Sequence, residues 1–128
     1  MNTDQLINFC DEWLAAWTGN TPEKLINFYS STAFYSDPSF RKGLAGHDQI
    51  LPYLKKLLAN NPTWKWTREE LLVTEKGFVL KWKAEIPVGN ATAFEYGMDI
   101  VEIADRKITR NEVYFDRVQL LKALQAFK

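Results

Sequence analysis

In the stretch FVLKWKAEI, residues 78–86, every second side chain is apolar, and the side chains between them are polar except Val79. The positions that share the apolar side are Phe78, Leu80, Trp82, Ala84 and Ile86. Because successive side chains of a strand point to opposite faces, this period of two predicts a β-strand with one buried face.

Similar segments lie on both sides of this strand. Residues 64–74 predict an upstream neighbour, and a change in the parity of its apolar positions predicts a bulge at residues 68–70. Residues 92–103 and 107–115 predict two more strands around a turn at residues 104–106. The second half of the chain is therefore expected to form an antiparallel sheet.

The first half of the chain has the three- and four-residue spacing of helices. Apolar residues recur from Leu6 to Trp17 after a possible cap at Thr3, and Thr21-Pro22 predicts the start of a second, shorter helix. A third helix is predicted to start near His47 or Asp48, and Pro52 is expected to be tolerable there only if it falls in the first turn.

Between the second and third helices, residues 32–36 predict a short strand that ends at the Asp-Pro step of residues 37–38, followed by a loop over residues 39–46. Residues 118–124 fit a closing helix. Helices followed by antiparallel strands predict a single α+β domain over residues 1–128, in which N-terminal helices pack on a curved sheet and a ligand occupies the concave side.

Composition narrows the function classes. Sixteen basic and sixteen acidic residues give no net charge, so we expect no nucleic acid and no anionic membrane as a partner. Cys10 is the single cysteine, and no basic-plus-apolar leader or long apolar run is present, which predicts a cytoplasmic protein. One histidine and one cysteine give no metal-ligand spacing, and no phosphate-binding glycine pattern occurs, so we expect no metal and no cofactor.

The segment FYSSTAFYSDPSF, residues 28–40, places Asp37 among five aromatic side chains. A carboxyl group that loses hydration in an apolar pocket holds its proton more tightly, which suits general acid–base catalysis near neutral pH. An aspartate before proline is also a common turn residue, whose side chain accepts backbone N–H groups.

The order of these elements, with YSDP after the second helix, Gly43 to His47 leading into the third and EVYFDR near the end, resembles the SnoaL-like branch of the nuclear-transport-factor-2-like superfamily. That superfamily includes ketosteroid isomerases, polyketide cyclases and limonene epoxide hydrolases. The resemblance implies a cone-shaped α+β fold with a deep apolar pocket, often in a homodimer.

The resemblance also implies roles for single residues. Asp37 lies where ketosteroid isomerases carry their general base, and Asp99 lies where they carry a protonated carboxyl of the oxyanion hole. Trp13 occupies the position of their tyrosine. Compared with limonene epoxide hydrolases, Tyr35, Asp99 and Asp116 match working positions.

Each of these carboxyl groups also has a structural interpretation. Asp99 is a candidate for a strand bulge or for a pair with Arg110, and Asp116 for the N-cap of the closing helix. Glu112 shares strand parity with Asp116 and is either a further site residue or solvent-facing. The residues expected to shape the pocket are Trp13, Phe34, Phe40, Tyr53, Trp66, Trp82, Tyr96, Met98 and Tyr114. The period of two does not decide which face of the strand at residues 92–103 lines the pocket.

Three functions follow as hypotheses. The first is a cofactor-independent isomerase, cyclase or dehydratase in which Asp37 acts as base and Asp99 stabilises developing charge on an apolar carbonyl or polyketide-like substrate. The second is a non-catalytic protein that binds an apolar small molecule. The third is an interaction module that dimerises or binds a partner through the outer face of the sheet.

Overall fold

The computed structural model of the chain describes residues 1–116 and residue 125. Its elements, in chain order, are α1 (Thr3–Ala15), α2 (Pro22–Ile26), β1 (Tyr29–Asp37), β2 (Phe40–Ala45), α3 (Gly46–Asn60), β3 (Lys65–Val73), β4 (Gly77–Val88), β5 (Ala91–Ala104) and β6 (Lys107–Tyr114). The predicted closing helix at residues 118–124 lies outside the described residues, so the N-cap role predicted for Asp116 stays a prediction.

The N-terminal helices form where the spacing predicts them. α1 is capped by Asn2, one residue before the predicted Thr3: its side chain accepts from the Gln5 backbone N–H at 2.8 Å, and the Gln5 side chain accepts from the Asn2 backbone N–H at 2.9 Å. α2 begins at Pro22 as expected. α3 begins at Gly46, so Pro52 lies beyond its first turn and the prediction for this proline is wrong.

The six strands form one open, curved sheet in the order β2-β1-β6-β5-β4-β3, which confirms the α+β prediction. All neighbours are antiparallel except β1 and β6, which are parallel. The predicted bulge is present, because the β3–β4 register shifts between Arg68 and Glu70. The β5–β6 hairpin turns through Asp105 and Arg106, whose positive φ angles of 51° and 61° suit a tight two-residue connection.

The segment expected to be a loop, residues 39–46, instead contains β2. It pairs with the end of β1 to form the edge of the sheet, with Phe34 opposite Ala45 and Asp37 opposite Phe40. Its side chains are exposed or half-buried, so it has no alternation of apolar and polar residues that would reveal it in the sequence.

The apolar core lies between the helices and one face of the sheet. Its fully buried members include Trp13 of α1, Leu54 of α3 and Leu80 of β4. The opposite face of β5 and β6 carries large exposed side chains, including Tyr96 and Met98. Within the described residues, every helix is too short or too polar to cross a membrane.

Candidate active site

A cavity of about 270 Å³ lies between the helices and the inner face of the sheet. Its lining is mostly apolar and includes all five tryptophans of the chain. The lining residues are Trp13, Leu14, Trp17, Tyr35, Asp37, Pro38, Ser39, Tyr53, Leu57, Asn61, Trp64, Trp66, Trp82, Ala84, Ile86, Glu95, Asp99, Val113 and Phe115. Its volume is close to the lower end of the range for small-molecule sites, about 300 Å³.

Asp37 ends β1 at the cavity wall and is 7% exposed. Its Oδ2 atom accepts two phenol hydrogen bonds, from Tyr35 at 2.8 Å and from Tyr53 of α3 at 2.5 Å. Burial raises the pKa of Tyr35 well above its usual value, and the nearby Asp37 carboxylate raises it further, so Tyr35 remains a proton donor to Asp37.

The other oxygen of Asp37 holds the turn between β1 and β2. Oδ1 accepts from the backbone N–H groups of Ser39 at 2.8 Å and Phe40 at 3.0 Å. The turn interpretation of this residue is therefore confirmed. Four donors face the carboxyl group, an arrangement that suits the acceptor-only character of an ionised carboxylate.

Asp99 lies on β5, opposite Leu80 on one side and Val113 on the other, in regular register. Asp99 is buried and lines the cavity, which shows that its side of β5 faces inward. Because its pairing with both neighbouring strands is regular, Asp99 does not lie at a bulge. It accepts from Trp82 Nε1 at 2.7 Å and from Asn111 Nδ2 at 2.9 Å. The proposed pair with Arg110 is absent, because that guanidinium contacts Glu102 and Glu112.

The pKa of Asp99 is raised from 3.8 to about 7. Burial is the largest cause, because desolvation disfavours the charged form, and the charge of Asp37 raises the pKa further. The hydrogen bonds from Asn111 and Trp82 act in the opposite direction. Asp99 therefore exchanges its proton near neutral pH, where a group is most effective in acid–base chemistry.

A buried chain of hydrogen bonds leads from α1 to Asp99. Trp13 Nε1 donates to Tyr29 Oη at 3.2 Å, Tyr29 donates to Asn111 Oδ1 at 2.8 Å, and the Asn111 amide donates to Asp99. Burial raises the pKa of Tyr29 well above its usual value, which keeps this phenol neutral. Trp13 is thus connected to Asp99 by hydrogen bonds through Tyr29 and Asn111. Neither of these two residues was predicted from the sequence as part of the site.

Glu95 is a third buried carboxyl group on the cavity wall, and it was not predicted as a site residue. It lies on β5 four residues before Asp99 and opposite Ala84 of β4. Its strand parity with Asp99 was the signal in the sequence that pointed to it.

The structure places only part of the predicted pocket at the cavity. Trp13, Tyr53, Trp66 and Trp82 line it, together with Tyr35. The predictions for Phe34, Phe40, Tyr96, Met98 and Tyr114 are wrong, because none of these side chains belongs to its lining.

Two physical reasons account for the misplaced residues. Tyr96 and Met98 have the strand parity opposite to Asp99, and Tyr114 pairs with Met98 on the same outer face. Phe34 and Phe40 instead pack beside the β1–β2 hairpin: the Phe34 ring occupies the space above Gly43, and the half-exposed Phe40 ring contacts Tyr53 with centroids 4.9 Å apart.

The remaining candidates lie away from the cavity. Glu112 is on the outer face, where Arg110 donates to it and lowers its pKa, and Tyr114 donates to its other oxygen. Asp116 follows β6 and is not part of the lining. The Nε2 atom of His47 lies 2.8 Å from the Tyr29 carbonyl oxygen.

The Cys10 thiol is buried, and its pKa is raised to about 12, chiefly by desolvation, which disfavours the reactive thiolate. Within the described residues, no group of three or more His, Cys, Asp or Glu side chains is arranged to hold a metal ion.

Comparison with known proteins places the chain in a family. The profile of the SnoaL-like domain matches residues 10–111, so the chain belongs to the SnoaL-like domain family. No curated protein sequence matches it.

Solved structures share the fold at low sequence identity. A proposed SnoaL-like polyketide cyclase from Shewanella putrefaciens CN-32 has a TM-score of 0.80 at 14% identity, with 97% of this chain and 87% of that chain covered. An LEH-like epoxide hydrolase from M. tuberculosis has a TM-score of 0.76 at 14% identity, with coverages of 98% and 88%. A hypothetical protein with a ketosteroid isomerase-like fold from Catenulispora acidiphila DSM 44928, in complex with trimethylamine, has a TM-score of 0.79 at 17% identity, with coverages of 97% and 95%.

Proposed function

We propose that this protein is a cofactor-independent enzyme that moves a proton on an apolar carbonyl-containing or polyketide-like molecule. The observation that carries this proposal is that Asp37 and Asp99 line one aromatic cavity in different hydrogen-bonding surroundings. Two carboxyl groups whose environments differ can divide the roles of base and acid.

In the proposed step, the Asp37 carboxylate takes a proton from the carbon next to the substrate carbonyl. The electrons of the broken C–H bond form an enolate, and the protonated Asp99 donates a hydrogen bond to the enolate oxygen. If a carbon–carbon double bond is conjugated with the enolate, return of the proton from Asp37 to the far carbon of that system shifts the double bond and completes an isomerisation. Near its pKa of about 7, a large fraction of Asp99 carries the required proton.

Proton exchange tests this proposal without knowledge of the product. The protein is incubated in D₂O with a panel of cyclic and aromatic ketones, and deuterium uptake next to the carbonyl is followed by mass spectrometry and NMR. We expect at least one ketone to exchange faster with the wild-type protein than in buffer.

Variants then separate the two carboxyl groups. Asp37→Asn keeps an oxygen for the backbone N–H groups of Ser39 and Phe40, and should slow exchange about 100-fold or more. Exchange at the wild-type rate in Asp37→Asn would remove Asp37 from the mechanism. Loss of exchange in Asp99→Asn alone would assign the base to Asp99.

A second candidate is a non-catalytic binding protein with the same cavity. The aromatic lining favours it, and the Catenulispora acidiphila protein of the same fold is described with trimethylamine bound. A ligand that raises the melting temperature, is recovered unchanged and takes up no deuterium would decide for this function.

The assembly and location are proposed on separate grounds. The exposed apolar side chains on the outer face of β5 and β6 support a homodimer through that face. The balanced charge supports the proposal that nucleic acid is not a partner, and the single cysteine supports a reducing, cytoplasmic location. We propose that residues 1–128 form one domain.

A further inference from the structure

Most hydrogen-bond donors on the cavity wall have an acceptor within the protein. The donors with an acceptor belong to Trp13, Tyr35, Tyr53, Asn61 and Trp82. Trp17, Trp64 and Trp66 also line the cavity, but their indole N–H groups donate to no acceptor in the part of the chain that the structure describes. The three indoles form one cluster, with the Trp66 ring centroid 5.9 Å from that of Trp17 and 6.0 Å from that of Trp64.

Trp17 differs from the other two indoles in its burial. Trp64 and Trp66 are half-buried, so water reaches them from outside, whereas Trp17 is only 7% exposed. A buried donor that has lost water and gained no acceptor costs free energy. Among the described residues, the Ser30 hydroxyl oxygen is the only unpartnered side-chain nitrogen or oxygen that is sealed from solvent, so the Trp17 N–H keeps some accessible surface. A ligand atom can therefore contact this N–H.

The position of Trp17 sets the distance between this donor and the carboxyl groups. Its ring centroid lies 6.4 Å from that of Tyr35, and the two rings are inclined by 34°. Tyr35 in turn donates to Asp37. Trp17 therefore packs beside the same phenol that binds Asp37, and a ligand with one six-membered ring can span from the carboxyl group to the indole.

We propose that the Trp17 indole N–H faces the cavity and donates to a second oxygen atom of the ligand, one six-membered ring away from the reacting carbonyl. The ligand class is therefore a ring compound with two oxygen acceptors, such as a diketone. This deepens the proposed function, on which it rests for the reacting carbonyl at Asp37 and Asp99. Binding of the second oxygen does not itself depend on turnover.

An isosteric pair of ketones, 1,4-diacetylbenzene and 4′-isopropylacetophenone, tests for the second oxygen. The two molecules have the same ring and nearly the same shape, and only the diketone has a second carbonyl oxygen in place of a methyl group. A site that hydrogen-bonds a ligand group discriminates against the analogue that lacks it, because the donor is then left unpaired. In isothermal titration calorimetry at pH 7, we expect the diketone to bind about fivefold more tightly, the effect of one hydrogen bond of typical net strength.

Two variants of the same kind locate the donor. Trp17→Phe removes the buried N–H and keeps an aromatic ring, and Trp64→Phe does the same at the far end of the cluster. We expect Trp17→Phe to abolish the preference for the diketone, because the second carbonyl oxygen then has no donor, and Trp64→Phe to retain it. Circular dichroism shows whether both variants are folded.

The indole N–H signals of the ¹⁵N-labelled protein give an independent measurement. Both ligands carry the same ring, so the difference between the spectra of their two complexes isolates the effect of the second oxygen. We expect the diketone to move the Trp17 signal downfield relative to its position with 4′-isopropylacetophenone, as a new hydrogen bond does. The signals of Trp13 and Trp82 should be nearly the same in both complexes, because these N–H groups already have acceptors.

Each result has a defined meaning. Equal or weaker binding of the diketone, no saturable binding of it at millimolar concentration, or a Trp17 signal at the same position in both complexes overturns the inference. An unchanged preference in folded Trp17→Phe, or loss of the preference in Trp64→Phe alone, overturns the assignment to Trp17. If Trp17→Phe does not fold, the ligand pair and the indole signals of the wild-type protein still decide the question.

The failure of this inference is distinguishable from failure of the proposed enzyme function. Deuterium exchange on 4′-isopropylacetophenone, without any preference for the diketone, leaves the acid–base proposal standing. A preference for the diketone without exchange on any ketone leaves a protein that binds ring compounds with two oxygen acceptors.

Discussion

The indole of Trp82 occupies the space that a side chain at Gly97 would need. A Cβ atom at position 97 would lie 2.2 Å from Cζ2 of the Trp82 ring, and the two residues pair directly across β4 and β5. The same indole donates its N–H to Asp99, two residues beyond Gly97. The absence of a side chain at position 97 therefore determines where the donor to Asp99 lies.

Gly97→Ala should displace the Trp82 ring and weaken its bond to Asp99. Overpacking of this kind costs about 1–3 kcal/mol of unfolding free energy. Loss of the donor should raise the Asp99 pKa above its present value of about 7, because the Trp82 hydrogen bond lowers it. The indole N–H signal of Trp82 in a ¹H–¹⁵N NMR spectrum reports the hydrogen bond.

Trp82→Phe serves as the comparison, since it keeps a smaller aromatic ring, removes the N–H and leaves free space beside Gly97. We expect it to raise the Asp99 pKa without the overpacking cost. An unchanged Trp82 signal in Gly97→Ala would contradict the positioning role of Gly97.

The stability of the protein should fall as pH rises from about 4 to about 7. The folded-state pKa of Asp99 exceeds its unfolded value, so the folded protein retains a proton that the unfolded chain releases over this interval. The stabilisation is fully present below about pH 4 and is lost by about pH 7. The difference between 3.8 and about 7, at about 1.4 kcal/mol per pH unit, amounts to about 4 kcal/mol for this buried group.

Urea unfolding of the wild-type protein and of Asp99→Asn at several pH values measures this effect. The variant lacks the titrating group, so the difference between the two curves isolates Asp99. Parallel curves from pH 4 to pH 7 would show that Asp99 titrates normally.

Asn111→Leu should raise the Asp99 pKa. The change removes the amide donor to Asp99 and the oxygen that accepts from Tyr29. Carboxyl ¹³C shifts of labelled aspartate, followed against pH, give the pKa directly. Thr109→Val is a suitable control on the same strand, because its hydroxyl donates to the Glu102 carbonyl oxygen and the pKa of Asp99 should not change.

Tyr35→Phe and Tyr53→Phe should each destabilise the protein, because each removes a phenol donor from Asp37 Oδ2. Hydrogen bonds to charged groups contribute about 1.5–3 kcal/mol. The loss of unfolding free energy in the double variant should differ from the sum of the losses in the two single variants, because both phenols donate to the same oxygen atom. Strict additivity in urea unfolding would contradict a shared site.

Met98→Lys should reduce self-association if the outer face forms a homodimer. Met98 lies beside Tyr114 across β5 and β6, and Tyr96 on the same face is 60% exposed. Light scattering coupled to size-exclusion chromatography measures the mass. Val73→Lys, at an exposed apolar position of β3 that pairs with Phe78 on the inner side of the sheet, is the control. An unchanged dimer in Met98→Lys would exclude the outer face.

Local pattern was sufficient to predict most of the fold. The alternation in β4 and the spacing in α1 give their elements directly, because each buries one face against the core. β2 was missed because backbone pairing with β1 stabilises it, and its side chains are not buried on one face. Its sequence therefore has no apolar pattern that predicts a strand. The start of α3 was predicted one or two residues too late, and Pro52 lies inside the helix, beyond its first turn.

The site was less predictable, because its geometry depends on sheet register. Both faces of β5 carry apolar side chains, and only pairing with β4 and β6 shows that Asp99 and Glu95 turn inward while Tyr96 and Met98 turn outward. Asn111 and Tyr29 are far apart in sequence, and they form their hydrogen bond only when β1 and β6 pair.

The parallel pairing of β1 with β6 has a consequence for biosynthesis. Tyr35 of β1 lies beside Asn111 of β6, so this contact forms only after the 75 residues between them have been translated. Contacts between such distant segments slow folding, since a long loop must close before they form. A nascent chain that stops before β6 contains Asp37 and Asp99 but not Asn111, so the hydrogen-bonded surroundings of Asp99 assemble only after β6 has been synthesised.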